Sequence, residues 1–213
     1  MDTTAGTAHI RTRKGTALRR RGLARVRKIL ASAEKVFVSQ GYQSFSLRNV
    51  ALETGISLGN LTYYFQSKED LLRSMIDGIL ADYESGLDAI LKEFPGDPEA
   101  RLRGYMQYLL ADSRHPERHQ FFYHFWAIST HDRFVAGCRR RAYAAFRDQV
   151  KGLCRAVNPS LSEKTVTQRT YLLMALIEGM HVLFGNRKTP DENLDKIAHE
   201  FCRQAMGIVT SSE

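Results

Sequence analysis

The residues with most chemistry to offer lie in the stretch GYQSFSLRNVALETGISLGNLTYYFQSKEDLL, residues 41–72. Within it Asn60, Thr62, Tyr63 and Tyr64 bring an amide, a hydroxyl and two phenols together in a run broken only by Leu61. A row of polar groups left outside a helix has no packing purpose. It suits the base edges and phosphates of a major groove, where amides, hydroxyls and phenols all find hydrogen-bond partners.

The elements that must hold this row are two short helices broken by a glycine turn. Ser46 is a good N-cap, and Leu47, Val50 and Ala51 fall on one face of a helix that Gly55 ends as a left-handed C-terminal residue. Ile56 plugs the corner. Ser57 then caps a second helix, Leu58 to Tyr64, whose Leu61 faces inward with Phe65 at the i, i+4 spacing. Upstream, an apolar stripe of Ile29, Leu30, Ala33, Val36 and Phe37 predicts a helix over 23–40, stopped by Gly41. The three helices together read as a helix-turn-helix domain.

The order of residues also resembles the DNA-binding domain of the TetR family of bacterial regulators. The family pattern of Gly-Tyr, then Thr-Val-Arg-x-Ile-Ala, then Ala-Gly-Val-Ser-x-Gly-x-Leu-Tyr-x-Tyr-Phe-x-x-Lys-x-x-Leu is matched in sequence. Here stand Gly41-Tyr42, then Ser46-Leu47-Arg48-Asn49-Val50-Ala51, then Gly55-Ile56-Ser57-Leu58-Gly59-Asn60-Leu61, Tyr64-Phe65, Lys68 and Leu71. Thr62 departs from the pattern, which more often has Tyr there. The resemblance covers roughly residues 22–75. It implies that Arg48, Asn60, Thr62 and Tyr63 meet base edges, that Ser46, Tyr64 and Lys68 meet phosphates, and that Ser57 belongs to the same DNA-binding set. It further implies an effector site between the C-terminal helices and pairing of the last two long helices with a second subunit.

Charge places the same emphasis on the N-terminus. The net charge of +8 is confined to residues 1–30, which hold nine Lys/Arg and one acid, whereas residues 31–213 hold 22 of each. A basic arm over 1–21 would neutralise phosphates and release counterions along DNA, the other reading being a solvated tail. Length and a 43% hydrophobic content suffice for a sizeable core. No apolar run suits a bilayer and no signal-peptide pattern opens the chain, so a cytoplasmic location without membrane contact is expected. Cys138, Cys154 and Cys202 are odd in number and form no C-x-x-C pair, which supports neither a disulfide framework nor a zinc knuckle. His115 and His119 stand at i, i+4, but no acid or Cys shares a matching ligand spacing, and no metal or other cofactor is expected. There is no phosphate loop, nucleophile elbow or H-E-x-x-H motif, so no catalytic residue is assigned and an enzyme is not expected.

Beyond the reader, Ser67 caps a long helix whose apolar pattern continues to Phe94, and Pro95-Gly96-Asp97-Pro98 breaks it. Further helices are predicted over 98–114, 117–130, 132–156, 162–185 and 191–209, with no strand. The fold class is therefore all-α: an arm over 1–21, a helix-turn-helix domain over 22–66 and a helical bundle over 67–213 for ligand binding and dimerisation. Tyr105, Tyr108, Phe122, His124, Phe125, Trp126, Tyr171, Met174, Glu178 and His181 are the effector-pocket candidates, as aromatics around a few polar groups. For each of them a plain bundle core is the competing reading. Glu178 would answer a hydroxyl, a protonated His181 or an amine on a ligand, whose class stays open. Leu172, Ala175, Leu176, Gly179, Val182 and Leu183, with Ile197, Phe201, Ala205 and Ile208, form apolar stripes that fit a homodimer interface or internal burial. The expected function is a repressor released from a pseudo-palindromic double-stranded DNA operator by a small-molecule effector. The alternatives are a regulator without such a ligand and a helical interaction protein whose DNA binding has degenerated.

Overall fold

The computed structural model describes residues 20–184 and 194–211. Those residues form nine helices and no strand, as the apolar periodicity predicts: α1 (Arg20–Ser44), α2 (Leu47–Thr54), α3 (Leu58–Tyr64), α4 (Lys68–Glu93), α5 (Pro98–Ser113), α6 (Pro116–Ser129), α7 (Arg133–Val157), α8 (Glu163–Phe184) and α9 (Leu194–Thr210). The basic arm expected over 1–21 lies outside the described residues as far as residue 19. The break expected over 186–190 lies outside them as well.

The described residues pack as two compact units. The first comprises those up to Ser85 together with Gln120–Arg139, and the second Gly86–His119 with those from Arg140 onward. Helices α4, α6 and α7 each contribute one part to each unit.

In the first unit, Val26, Ile29, Ala33, Val36 and Phe37 of α1 are fully buried with Val50 of α2, Leu61 of α3 and Leu71 and Leu72 of α4. Phe121, Phe125, Val135 and Cys138 complete this core from the α6–α7 corner. The reader therefore rests on a wider base than its own three helices. Gly41 breaks the first helical run where the sequence predicts, at a kink within α1. It takes φ 73°, ψ 174°, a conformation open to glycine, and one more helical turn follows over 42–44. At the other turn Gly55 adopts φ 72°, ψ 39°, and its N–H reaches the carbonyls of Ala51 and Leu52, the left-handed cap expected.

The second unit is a bundle built on Leu102, Tyr105, Met106, Val150, Cys154, Val166, Leu173, Ile177, Ala205 and Val209, all buried. Its carbonyl-rich C-terminal end is closed by the buried Arg169, whose Nη1 donates to the carbonyls of Val209 at 3.1 Å and Ser211 at 2.7 Å. A guanidinium there satisfies acceptors that the end of α9 leaves open.

Candidate nucleic-acid interface and effector site

Two serine caps fix the reader. Ser46 Oγ accepts from the Asn49 N–H at 3.2 Å and Ser57 Oγ from the Asn60 N–H at 3.1 Å, so each short helix starts at a defined residue. Each cap uses a lone pair of its serine and leaves the O–H able to donate to a phosphate. With Leu61 and Phe65 buried, α3 turns Asn60 and Tyr63 outward, Tyr63 being 51% exposed, while Thr62 and Tyr64 are half-buried. The Tyr63 and Tyr64 rings meet edge to face, 5.0 Å between centroids, and the Thr62 hydroxyl donates to the Gly59 carbonyl at 3.1 Å. Arg48 is exposed on α2.

Lys68 is held differently from the rest. Its Nζ donates to the Tyr42 carbonyl at 2.9 Å and lies 3.6 Å from the centroid of the Tyr42 ring. The Tyr42 phenol in turn donates to Asp132 Oδ2 at 2.8 Å, while Asp132 Oδ1 caps α7 by accepting from the N–H groups of Phe134 (2.8 Å) and Val135 (3.0 Å). The Val135 N–H leads the effects that hold the Asp132 carboxyl below its ordinary value, with the Tyr42 and Phe134 hydrogen bonds helping. Burial, then Asp132, pushes the Tyr42 phenol up. Burial also lowers the Lys68 ammonium, against the pull of Glu69 and Asp132. Sequence reading places Lys68 at a phosphate and leaves Tyr42 and Asp132 without a role. No spacing rule links a tyrosine near the end of α1 to an acid 90 residues later.

The ten pocket candidates divide between the two units, because α6 passes from the second unit to the first between His119 and Gln120. In the first unit Phe125 is buried and stacked on Phe121 at 5.6 Å, His124 meets Phe37 edge-on at 6.0 Å, and Phe122 lies against Trp126 at 5.8 Å. In the second unit Tyr105, Met174 and His181 are buried and Tyr108 is half-buried. The Tyr105 phenol donates to Gln149 at 2.7 Å. The Tyr108 ring occupies the space that a Cβ on Gly86 would need, 2.5 Å from Cζ, so a side chain at 86 would require that ring to shift. Tyr171 stands 53% exposed on α8 and hydrogen-bonds with the Arg147 guanidinium.

Glu178 is the one carboxyl among the ten candidates. Burial pushes it up to about 7, and a hydrogen bond from Tyr143 opposes the rise. At neutral pH it is divided between acid and carboxylate, able to donate or to accept. Near it in sequence, His181 Nδ1 lies 3.2 Å from the Ile177 carbonyl, and burial lowers its pKa. His119 is lowered too, by burial first and then by the like charge of His181. A groove of about 690 Å3 between α5 and α9, with Arg103, Arg114, Arg203, Leu110, Cys202 and Met206 among its walls, involves none of the expected residues. Carboxylates hold two of its arginines, Asp195 at Arg114 and Glu200 at Arg203. Among the described residues no cluster of three His, Cys, Asp or Glu side chains is grouped to hold a metal ion, and no helix is long and apolar enough to cross a membrane.

Two capped helices with a polar outer face, carried before a helical bundle, define a DNA-binding transcriptional regulator. The profile described as "Bacterial regulatory proteins, tetR family" matches residues 29–75, and that described as "BetI-type transcriptional repressor, C-terminal" matches 98–206, half of the chain. The chain belongs to the TetR family. It is 28% identical over 165 residues to an uncharacterized HTH-type transcriptional regulator in the dhlA 5' region of Xanthobacter autotrophicus, covering 75% of this chain and 79% of that one. To the HTH-type transcriptional regulator RutR of Escherichia coli K12 it is 32% identical over 111 residues, 51% of each chain. A TetR transcription regulator from Haloarcula marismortui shares the fold with a TM-score of 0.69 at 16% identity, covering 87% of this chain and 96% of that one.

Proposed function

We propose that this regulator is a cytoplasmic repressor that binds a pseudo-palindromic operator as a homodimer and is released by a small molecule held in its second unit. The observation that carries the reading is the reader itself: α3 buries Leu61 with Phe65 at its C-cap, presents amide and phenol groups outward and is fixed by the Ser57 cap. The family description of the C-terminal half as that of a repressor supports the sign of regulation. Arg48, Asn60, Thr62 and Tyr63 take base edges. Ser46, Ser57 and Tyr64 take phosphates, joined by the arm over 1–21 and by Lys68 to the extent that Tyr42 leaves it free.

Glu178 is the polar anchor of the effector site, with Tyr105, Tyr108, Met174 and His181 on the same unit. A carboxyl that titrates near 7 can pair with an amine as the carboxylate or exchange hydrogen bonds with a hydroxyl as the acid. The subunit contact is the outer face of α8, where Leu172, Val182 and Leu183 are each at least half exposed.

Selection of duplexes from a random library, followed by binding with excess competitor DNA, tests the reading. Arg48→Ala is expected to weaken the selected site by about 1–3 kcal/mol and to relax preference at one position per half-site. Thermal-shift screening of small amines, aromatics and fatty acids against wild type and Glu178→Gln tests the effector site. A ligand at a hundred times its Kd raises stability by about 2.7 kcal/mol. A hit that releases operator equally from both proteins moves the site away from Glu178.

A further inference from the structure

Leu58 is the first residue of α3, directly after the Ser57 cap, and its side chain is 45% exposed. Apolar residues elsewhere on α3 are buried: Leu61 is at 0% exposure and Phe65, its C-cap, at 1%. Leu58 shares a strip with Thr62 at the i, i+4 spacing, on the side of the helix that leads to Gly59 and Tyr63. Gly59 has nothing within 4 Å of where a Cβ would stand, so the surface beside Leu58 is open. An exposed leucine is unremarked on an ordinary surface. Here it occupies the N-terminal turn of the reading helix, the part of such helices that approaches base edges.

An isobutyl group has neither donor nor acceptor, so most of the major-groove code is closed to it. Against guanine or adenine it would cover N7 and O6 or N6 without replacing their water. Against unmodified cytosine it would cover the N4 amino group. The 5-methyl of thymine is the one apolar feature that the groove displays. We infer that Leu58 is a specificity-determining residue that reads a thymine 5-methyl group at one position of each operator half-site. The inference rests on the DNA-binding reading of α3 and adds to it the chemistry of one base.

The experiment uses the full chain and duplexes enriched from a random library. Each thymine of the enriched half-site is replaced in turn by deoxyuridine, which lacks only the 5-methyl group, and affinity is measured for wild type and Leu58→Ala. At one thymine the wild type is expected to lose about fourfold, the effect of a buried methylene-sized group at about 0.8 kcal/mol, and Leu58→Ala to lose nothing. Placing cytosine at that position weakens wild-type binding, and 5-methylcytosine restores part of it. Leu58→Gln shifts the preferred base there from thymine to adenine, which glutamine can bind through N6 and N7. Because this variant gains a preference, misfolding cannot imitate its result. Methyl dependence that persists in Leu58→Ala, or that occurs at no thymine, overturns the inference while leaving DNA binding intact. Enrichment of no duplex at all overturns the DNA-binding reading and this inference with it.

Discussion

Tyr42 joins three parts of the first unit through one side chain and its own carbonyl: Lys68 at the start of α4 lies over its ring, and Asp132 at the start of α7 accepts its phenol. A hydrogen bond to a carboxylate contributes about 1.5–3 kcal/mol when well buried, and this half-buried one should give about 1–2. Tyr42→Phe is therefore expected to lower the urea-unfolding free energy by that amount, and a double-mutant cycle with Asp132→Asn to show coupling of at least about 0.5 kcal/mol. Additive losses would mean that the contact carries no energy. Glu178 yields a pH prediction of definite sign. Its folded-state value of about 7 exceeds its ordinary 4.5, so it favours folding fully below about pH 4.5 and loses that contribution as the pH rises to about 7. The gap corresponds to roughly 3 kcal/mol at 1.36 kcal/mol per pH unit. The buried His119 and His181 act oppositely, since their folded values are depressed: their contribution is present above pH 6.5 and is lost as the pH falls through those values. Glu178→Gln should match wild type near pH 4.5, exceed it by a few kcal/mol at pH 7.5, and expose a stability that rises with pH. A constant offset between the two proteins across that range would assign the perturbation elsewhere. The sequence shows Glu178 as an acid inside an apolar helix. It does not show Tyr42 with Asp132, because that pair depends on how the α6–α7 corner meets the end of α1.

Helix α3 is only seven residues long, too short to persist in water by propensity. Its order comes from Leu61 and Phe65 inside and from the Ser57 cap outside. Ser57→Ala should lower stability by about 1 kcal/mol and weaken operator binding, whereas Ser57→Asn, which caps equally well, should restore stability. If Ser57→Asn recovers stability but not affinity, the hydroxyl has a direct role at phosphate as well. Caps and glycine breaks explain why this part of the fold is legible from sequence. Ser46, Gly55 and Ser57 are local signals with local causes, and α3 has the bounds that they predict. The aromatic run of α6 is less legible for an equally physical reason. Periodicity tells which face of a helix is apolar but not which core that face enters, and α6 gives Phe121 and Phe125 to the first unit while His119 belongs to the second. The same ambiguity covers α8: Leu173 and Ile177 are buried while Leu172 and Leu183 are exposed, though all four are apolar residues of one helix.

If the exposed face of α8 is the subunit contact, as proposed, it sets how the whole molecule meets DNA. Leu172 at 55%, Leu183 at 67% and Val182 at 50% exposure are apolar residues of one helix left open to solvent, and Ile197 and Phe201 border a groove beside Leu176. Two-fold pairing on that face would set two copies of α3 at one spacing, so that one operator engages both and the second contact forms at a high effective concentration. Replacing Leu172 and Leu183 with Glu changes no buried side chain, and the double variant should keep its helical circular dichroism. By sedimentation at micromolar concentration it should be a monomer. Its affinity for the full operator should fall to that for an isolated half-site, and the slope of log affinity against log salt should halve, since half as many phosphates are neutralised. A monomer that keeps the full slope would mean that one copy spans the operator alone. A variant that remains dimeric would place the subunit contact elsewhere. In the intact dimer, coupling between effector and operator is reciprocal, so saturating operator should weaken effector binding by the factor by which effector weakens operator. Calorimetric titration of the effector with and without operator measures that factor, and sedimentation of the effector-bound protein shows whether release proceeds through loss of the dimer or through a change within it.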